Sequence, residues 1–264
     1  MTFSLLTPTR AALAACTLAL VAAASPAHAQ RDFDWSGELA SGATLRVYTS
    51  TGTVTVREAS GRGARIHADV ENAREGEIRF VTDRAGGGVR VCAVREGSTC
   101  SDNGVQNRSS GWRDRDRRGK ANFTVEVPRG VVVRVSSGNG AVMVDGARGP
   151  VRASSGNGRV RVSTASGPVN ASTGNGSVEV AIASRASGNM EFSSGNGSIT
   201  VTLPSDFAAQ VEASTGNGGF QSDFPMQVNG RISSNRVSGR IGQGGGRMTL
   251  STGNGSITLR RAGS

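Results

Sequence analysis

SSGNGRVRV at 154–162 returns eighteen residues later as STGNGSVEV at 172–180. The S-[ST]-G-N-G element begins at Ser136, Ser154, Ser172, Ser193, Ser214 and Ser251, at spacings of 18, 18, 21, 21 and 37 residues. One active site needs one set of groups, so sixfold repetition points to a structural corner. A period near twenty residues is the signature of stacked repeats. The last spacing is about two units long, and Ile232-Ser233-Ser234-Asn235 near its middle reads as a degenerate seventh copy.

Aligned on their asparagines (Asn139, Asn157, Asn175, Asn196, Asn217 and Asn254), the copies form columns. Three residues on stand Val142, Val160, Val178, Ile199, Phe220 and Ile257; five on stand Val144, Val162, Val180, Val201, Ser222 and Leu259. Between them come Met143, Arg161, Glu179, Thr200, Gln221 and Thr258. Upstream, Val133, Val151, Val169, Met190, Val211 and Met248 form another apolar column, followed by the outward Arg134, Arg152, Asn170, Glu191, Glu212 and Thr249. This is the period-two alternation of strands with one face buried. Glycine and asparagine tolerate positive φ, so G-N-G is suited to the corner between two short strands.

Two arrangements satisfy the pattern. In a meander each N-G is a hairpin turn. In a solenoid each unit is one coil, and like residues stack about 4.8 Å apart. The uniform columns favour the solenoid: valines fill a narrow core, asparagines form a ladder at the corner, and Arg161 meets Glu179. A membrane barrel needs strands of about ten residues and aromatic girdles, whereas aromatic residues are 4% of this chain.

The first thirty residues read differently. Arg10 precedes an apolar run over 11–24, and Ala27-His28-Ala29 supplies a small-residue cleavage site. That is the layout of a secretory leader over 1–29, cleaved after Ala29. The rival is a lipoprotein box, Leu13-Ala14-Ala15-Cys16, which would leave Cys16 as a lipidated first residue. No later stretch is long enough to span a bilayer as a helix. Export predicts an oxidising compartment, and the two remaining cysteines, Cys92 and Cys100, are expected to close the short AVREGST stretch as a disulfide.

The formal charge of +10 falls to about +9 when Arg10 leaves, and Lys120 is the single lysine. Such a surface attracts anionic partners. For an exported protein these are phosphorylated glycolipids or acidic polysaccharide, and no nucleic acid is expected.

Residues 31–130 read as a noisier version of the repeat. Thr49 to Val56 resembles a unit lacking its asparagine, and 65–70, 77–81, 89–94 and 123–127 read as strands. Phe33 and Trp35 are expected to cover the first coil, because an open end exposes core and edge. Residues 101–120 are polar, Gly/Ser-rich and charged, and read as a flexible inserted loop.

With these motifs in view, the chain resembles bacterial exported β-strand-repeat proteins labelled as adhesins with a domain of unknown function. That family carries serial S-x-G-N-G units after an F-x-V-x-V-P-x-G strand, here Phe123 to Gly130. The resemblance covers roughly 33–261 and implies a repeat fold and a surface role. It supplies no catalytic residues, and the label itself rests on fold analogy. The Cys92–Cys100 pair and the Arg-rich segment depart from the pattern.

Polysaccharide-cleaving solenoids need clustered carboxylates at a cleft. The best acid pair is Glu191 with Glu212, which the alignment places on adjacent coils; an ordinary solvated face, with Arg152 in the same column, is the reading preferred over catalysis. His67 is the one histidine after the leader, and no nucleophile elbow accompanies it. The calcium roll repeat needs an Asp column, and here that column holds Met143, Arg161 and Thr200. A stacked Ser-[Ser/Thr] face suggests ice binding, but Arg, Glu and Asn interrupt it. G-N-G precedes a strand, so no helix N-terminus waits for phosphate. One segment could take an anionic ligand: Trp112 with Arg113, Arg115, Arg117 and Arg118, whose bland reading is a solubilising insert.

The expectation is therefore one all-β domain over 30–264, a parallel β-solenoid (β-helix) of about 18–21 residues per coil, with a charged loop at 101–120. It is read as non-enzymatic and free of cofactor or metal, an adhesin-type surface or periplasmic module. Its expected partner is an anionic envelope polymer, a glycan or another envelope protein. The alternative is a carbohydrate-active enzyme of the same fold.

Overall fold

Alternation decides which side chains the two strands of each repeat bury, and stacking decides the rest. The computed structural model describes residues 32–85, 87–107, 119–184, 188–228, 233 and 235–263, and Arg31–Ser264 is one compact unit. The described elements are all strands, so among these residues no helix is long and apolar enough to cross a membrane. The chain opens with β1 (Phe33–Glu38), then β2 (Thr44–Thr51) and β3 (Val54–Glu58). Next come β4 (Gly63–Glu71), β5 (Ile78–Ala85), β6 (Gly88–Arg95), β7 (Ser98–Ser101), β8 (Gly104–Asn107) and β9 (Lys120–Val127).

The repeats then supply strand pairs. These are β10 (Val132–Asn139) with β11 (Val142–Ala147), β12 (Val151–Asn157) with β13 (Val160–Thr164), and β14 (Val169–Asn175) with β15 (Val178–Ile182). They continue as β16 (Met190–Asn196) with β17 (Ile199–Leu203) and β18 (Ala209–Asn217) with β19 (Phe220–Ser222). The chain ends in β20 (Met226–Val228), β21 (Arg236–Ile241), β22 (Arg247–Asn254) and β23 (Ile257–Arg261).

Each pair places one strand in each of two mixed sheets. Sheet I runs β1-β4-β9-β3-β11-β13-β15-β17-β23-β19, and sheet II runs β5-β6-β2-β10-β12-β14-β16-β22-β18-β21-β20. The central neighbours are parallel and in register: Val133 lies beside Val151, which lies beside Val169, and Val142 beside Val160 beside Val178. The inward residues of both sheets form one core, with Val133, Val142, Val160, Val169, Val178, Ile199, Met248 and Ile257 fully enclosed. Each such aliphatic side chain contributes about 1.5–3 kcal/mol of burial.

The corner explains four of the five letters of the motif. The second residue (Ser137, Ser155, Thr173, Ser194) is buried and donates its hydroxyl to the final-glycine carbonyl of the neighbouring rung, or to Gly52 at the first, at 2.7–2.9 Å. The asparagines form a ladder of amide-to-carbonyl bonds of 2.7–2.8 Å. The two glycines serve different ends. Gly176 sits at φ +148, whereas Gly174 is not left-handed; a Cβ on Gly174 would lie 2.6 Å from the Gly156 carbonyl oxygen. Close stacking, more than turning, requires the first glycine. The remaining letter, the leading serine, makes none of these corner bonds.

The order of the rungs in space departs from their order in sequence. β22 and β23 lie between β16/β17 and β18/β19, so the ladder runs Asn196, Asn254, Asn217. At the other end β2/β3 is similarly interleaved, between β6/β9 and β10/β11. Of the degenerate seventh copy expected at 232–235, Ile232 and Ser234 lie outside the described residues. β20 and β21 there pair antiparallel at the margin of sheet II. Likewise 31–130 is only partly repeat-like, since β1, β4 and β5 run antiparallel. Antiparallel pairs close both margins of sheet II and the β1 margin of sheet I, which blunts those edges against further stacking, while the parallel β19 ends the other margin of sheet I. Phe33 and Trp35 pack on the core there, and Phe33 stacks on Phe80 at 4.7 Å.

The 101–120 segment also needs correction. β7 and β8 form an antiparallel hairpin through Asp102-Asn103, and Lys120 opens β9. Cys92 and Cys100 are joined by a disulfide with Cα atoms 6.0 Å apart, tying β6 to this hairpin.

Candidate functional site

Outward residues of sheet II line up across strands as the inward ones do. The leading serines Ser136, Ser154, Ser172 and Ser193 form one row on β10, β12, β14 and β16, and Tyr48 of β2 continues it. Beside it runs a second row: Arg90, Arg46, Arg134, Arg152, Asn170 and Glu191. A cleft of about 340 Å3 lies over both rows, with Tyr48, Asp102 and Asn103 at one end and Glu191 and Ser193 at the other. The β7–β8 hairpin makes its wall. Tyr48 is buried against Cys92 and Val94, with Cys100 and Val105 packed on them. Its hydroxyl donates to the Asp102 carbonyl at 2.9 Å, and burial raises its pKa above the ordinary tyrosine value.

The cleft is electrostatically graded. At the hairpin end Arg90 donates to Asp83 at 2.7 Å and to Asp102 at 2.8 Å, and Arg46 lies 3.7 Å from Asp102. Its hydrogen bond to Asp83 is the main reason Arg90 is held charged more firmly than usual. The middle of the cleft carries Arg134 and Arg152, and the far end carries the exposed Glu191. Sequence reasoning noted Arg134 and Arg152 as outward residues but missed Arg46 and Arg90. Extending the same column upstream through Leu45-Arg46-Val47 and Val89-Arg90-Val91 would have found them.

The other residues singled out in the sequence fall elsewhere. The asparagines stand at the corner ladder. Trp112, Arg113, Arg115, Arg117 and Arg118 lie outside the described residues. Glu191 and Glu212 are not on adjacent rungs, because Thr249 of β22 stands between them, which separates their backbones by about 10 Å. Arg161 does lie beside Glu179, at 3.4 Å, on the outer face of sheet I. Glu58 is held below the usual carboxylate range by Arg129 first, then Arg148, at a loop junction.

His67 sits on β4 with Asp34 at 2.7 Å and Asp69 at 3.1 Å, chiefly the Asp34 bond raising its pKa above 6.5. Among the described residues no group of three His, Cys, Asp or Glu side chains is placed to hold a metal. A raised histidine pKa stabilises the fold below the unfolded value and loses that contribution as pH rises through the folded value. The expected outcome is that His67→Gln lowers the urea midpoint at about pH 5.5 and has less effect at about pH 8.5. Equal effects at both pH values would show that the pair is not charged.

No curated protein matches the sequence significantly. Among solved structures, a putative cell adhesion protein from Clostridium sporogenes superposes with TM-score 0.52 at 14% identity, covering 87% of this chain and 99% of that one. A putative adhesin from Bacteroides fragilis covers 87% of this chain and 97% of its own at 8% identity, with TM-score 0.30. A putative lipid binding protein from Parabacteroides distasonis covers 89% and 96% at 11% identity, with TM-score 0.28. The first likeness is one of fold. The sequence itself matches the family described as Toastrack DUF4097 over residues 44–260, and the chain belongs to that family.

Proposed function

We propose that the chain is a non-catalytic, exported binding module of adhesin type, meeting a cell-envelope polymer or glycan along the outer face of sheet II. The observation that carries this reading is the cleft over the serine row. The outward side chains that line it are polar, and the serines there are the one motif position that the corner does not use. In this reading 1–29 is a cleaved leader, with lipidation at Cys16 as the alternative, and 30–264 is a single β-solenoid domain. The in-register parallel rungs of about 18–21 residues support that description. The cell adhesion name of the Clostridium sporogenes structure agrees with a surface role by analogy of fold. The segment Trp112 to Arg118, with its four arginines, is proposed as a second contact for anionic envelope material.

The test is a binding screen of the chain against immobilised envelope glycans and lipopolysaccharide. A cleft-filling variant, Ser154→Trp with Ser172→Trp, and a deletion of 108–118 are screened beside it. The filled cleft is expected to abolish binding without changing the melting temperature, and the deletion to weaken it. Binding that survives the filled cleft and vanishes with the deletion would move the function to the Arg-rich segment.

A further inference from the structure

Four arginines in one column are costly. Arg90, Arg46, Arg134 and Arg152 are direct partners on four adjacent parallel strands, with backbones about 4.8 Å apart. Like charges directly opposite one another destabilise a sheet. Asp83 and Asp102 neutralise the first two. No described carboxylate pairs with Arg134 or Arg152, and both line the cleft. The Nε of Arg134 is also buried without a hydrogen-bond partner. Leaving a buried donor unsatisfied destabilises the fold, the more so when the group is charged. Two uncompensated guanidinium groups on one wall of an open cleft, one with an idle donor, describe a place where an anion belongs.

We infer that Arg134 and Arg152 form a subsite for one oxyanion (carboxylate, phosphate or sulfate) carried by a saccharide chain whose hydroxyls lie along the serine row. Arginine's fork suits such groups better than a point charge would. The rest of the cleft limits the ligand. Beyond Arg152 the row offers Asn170 and the hydroxyls of Ser154, Ser172 and Ser193, and it ends on Glu191. A uniformly charged polyanion would meet that carboxylate, whereas a chain with sparse charge leaves neutral hydroxyls there. The ligand class is therefore a sparsely anionic glycan, held with its acidic group toward the hairpin wall. An acidic polysaccharide and a phosphorylated glycolipid headgroup present the same chemistry. The inference rests on the proposal that this cleft is the binding face.

The test is calorimetric titration of the chain with three probes: a partly methyl-esterified oligogalacturonate, the fully esterified oligomer, and lipopolysaccharide micelles. The variants are Arg134→Gln with Arg152→Gln, the cleft-filling serine pair, and Arg161→Gln on the opposite sheet as a charge control. The arginine pair is expected to weaken each acidic probe that binds by about tenfold or more, which is about 1.4 kcal/mol or more, because charged hydrogen bonds to the oxyanion are lost. Arg161→Gln should change binding by less than about twofold. The arginine pair should melt no lower than wild type, because it relieves repulsion. Binding of oligogalacturonate alone upholds the subsite and assigns polysaccharide; binding of lipopolysaccharide alone upholds it and assigns glycolipid. Acidic-probe binding unchanged in the arginine pair but lost in the filled cleft overturns the anion subsite and leaves the binding face standing. Binding indifferent to both variants overturns both. No binding by either acidic probe at about 1 mM overturns the subsite.

Discussion

Removal of residues 247–264 is expected to abolish cooperative unfolding of the C-terminal half of the domain. In an ordinary repeat array, deleting the last unit removes one terminal interface and leaves the others. Here the last unit is internal. β22 and β23 separate β16/β17 from β18/β19 in both sheets, and their inward Met248, Leu250, Ile257 and Leu259 are fully enclosed. At about 1.5–3 kcal/mol each, those four side chains represent about 6–12 kcal/mol as an upper bound, comparable with the whole stability of a domain. A circular-dichroism melt checks the loss. Cysteine pairs check its cause: Ser193→Cys with Ser251→Cys should cross-link under mild oxidation because the two are direct partners. Ser193→Cys with Ser214→Cys should not, since β22 stands between them. The opposite pattern would restore the sequential order.

Gly176→Ala is the second large effect. The added Cβ would lie 2.3 Å from the Gly158 carbonyl oxygen and 2.7 Å from its carbon, on a residue at φ +148. Neither neighbour is a side chain that can swing aside, so the rungs must part. Overpacking costs about 1–3 kcal/mol and the left-handed backbone about 1–3 kcal/mol more. The expected loss is about 2–6 kcal/mol in urea denaturation, on the sum of those two costs. Gly174→Ala meets only the first cost and should lose about 1–3 kcal/mol. Equal losses at the two positions would mean that backbone strain plays no part.

The corner and the columns were legible because six copies print the same constraint six times. Alternation around Val160 and Val162 names the inward face, and Arg161 beside Glu179 follows from register alone. The order of the last two rungs was not legible for the same reason. Columns that hold like residues are satisfied by any order of stacking, so nothing in STGNGSIT chooses between an internal and a terminal place. Within the 37-residue gap Ile232-Ser233-Ser234-Asn235 resembles a unit, but nothing in it signals that the flanking Arg236–Ile241 pairs antiparallel with β18. The β7–β8 hairpin hid within a polar stretch, although Asp102-Asn103-Gly104 is turn chemistry. Its consequence was the larger miss. Asp102 joins Asp83 in neutralising the first two arginines of the column, and only against that background do Arg134 and Arg152 stand out. A site built from four strands and a distant hairpin leaves no local spacing to read.

The account's central claim is that repetition builds the fold while the outward rows of sheet II meet the partner. Chemical-shift mapping tests it most directly, with isotopically labelled chain titrated with partly esterified oligogalacturonate. The account predicts the largest perturbations at Arg134, Arg152, the serine row and the β7–β8 hairpin, weaker ones over 108–118, and the G-N-G amides and sheet I unmoved. Perturbations centred on the asparagine ladder, on sheet I or on the 108–118 segment would contradict it.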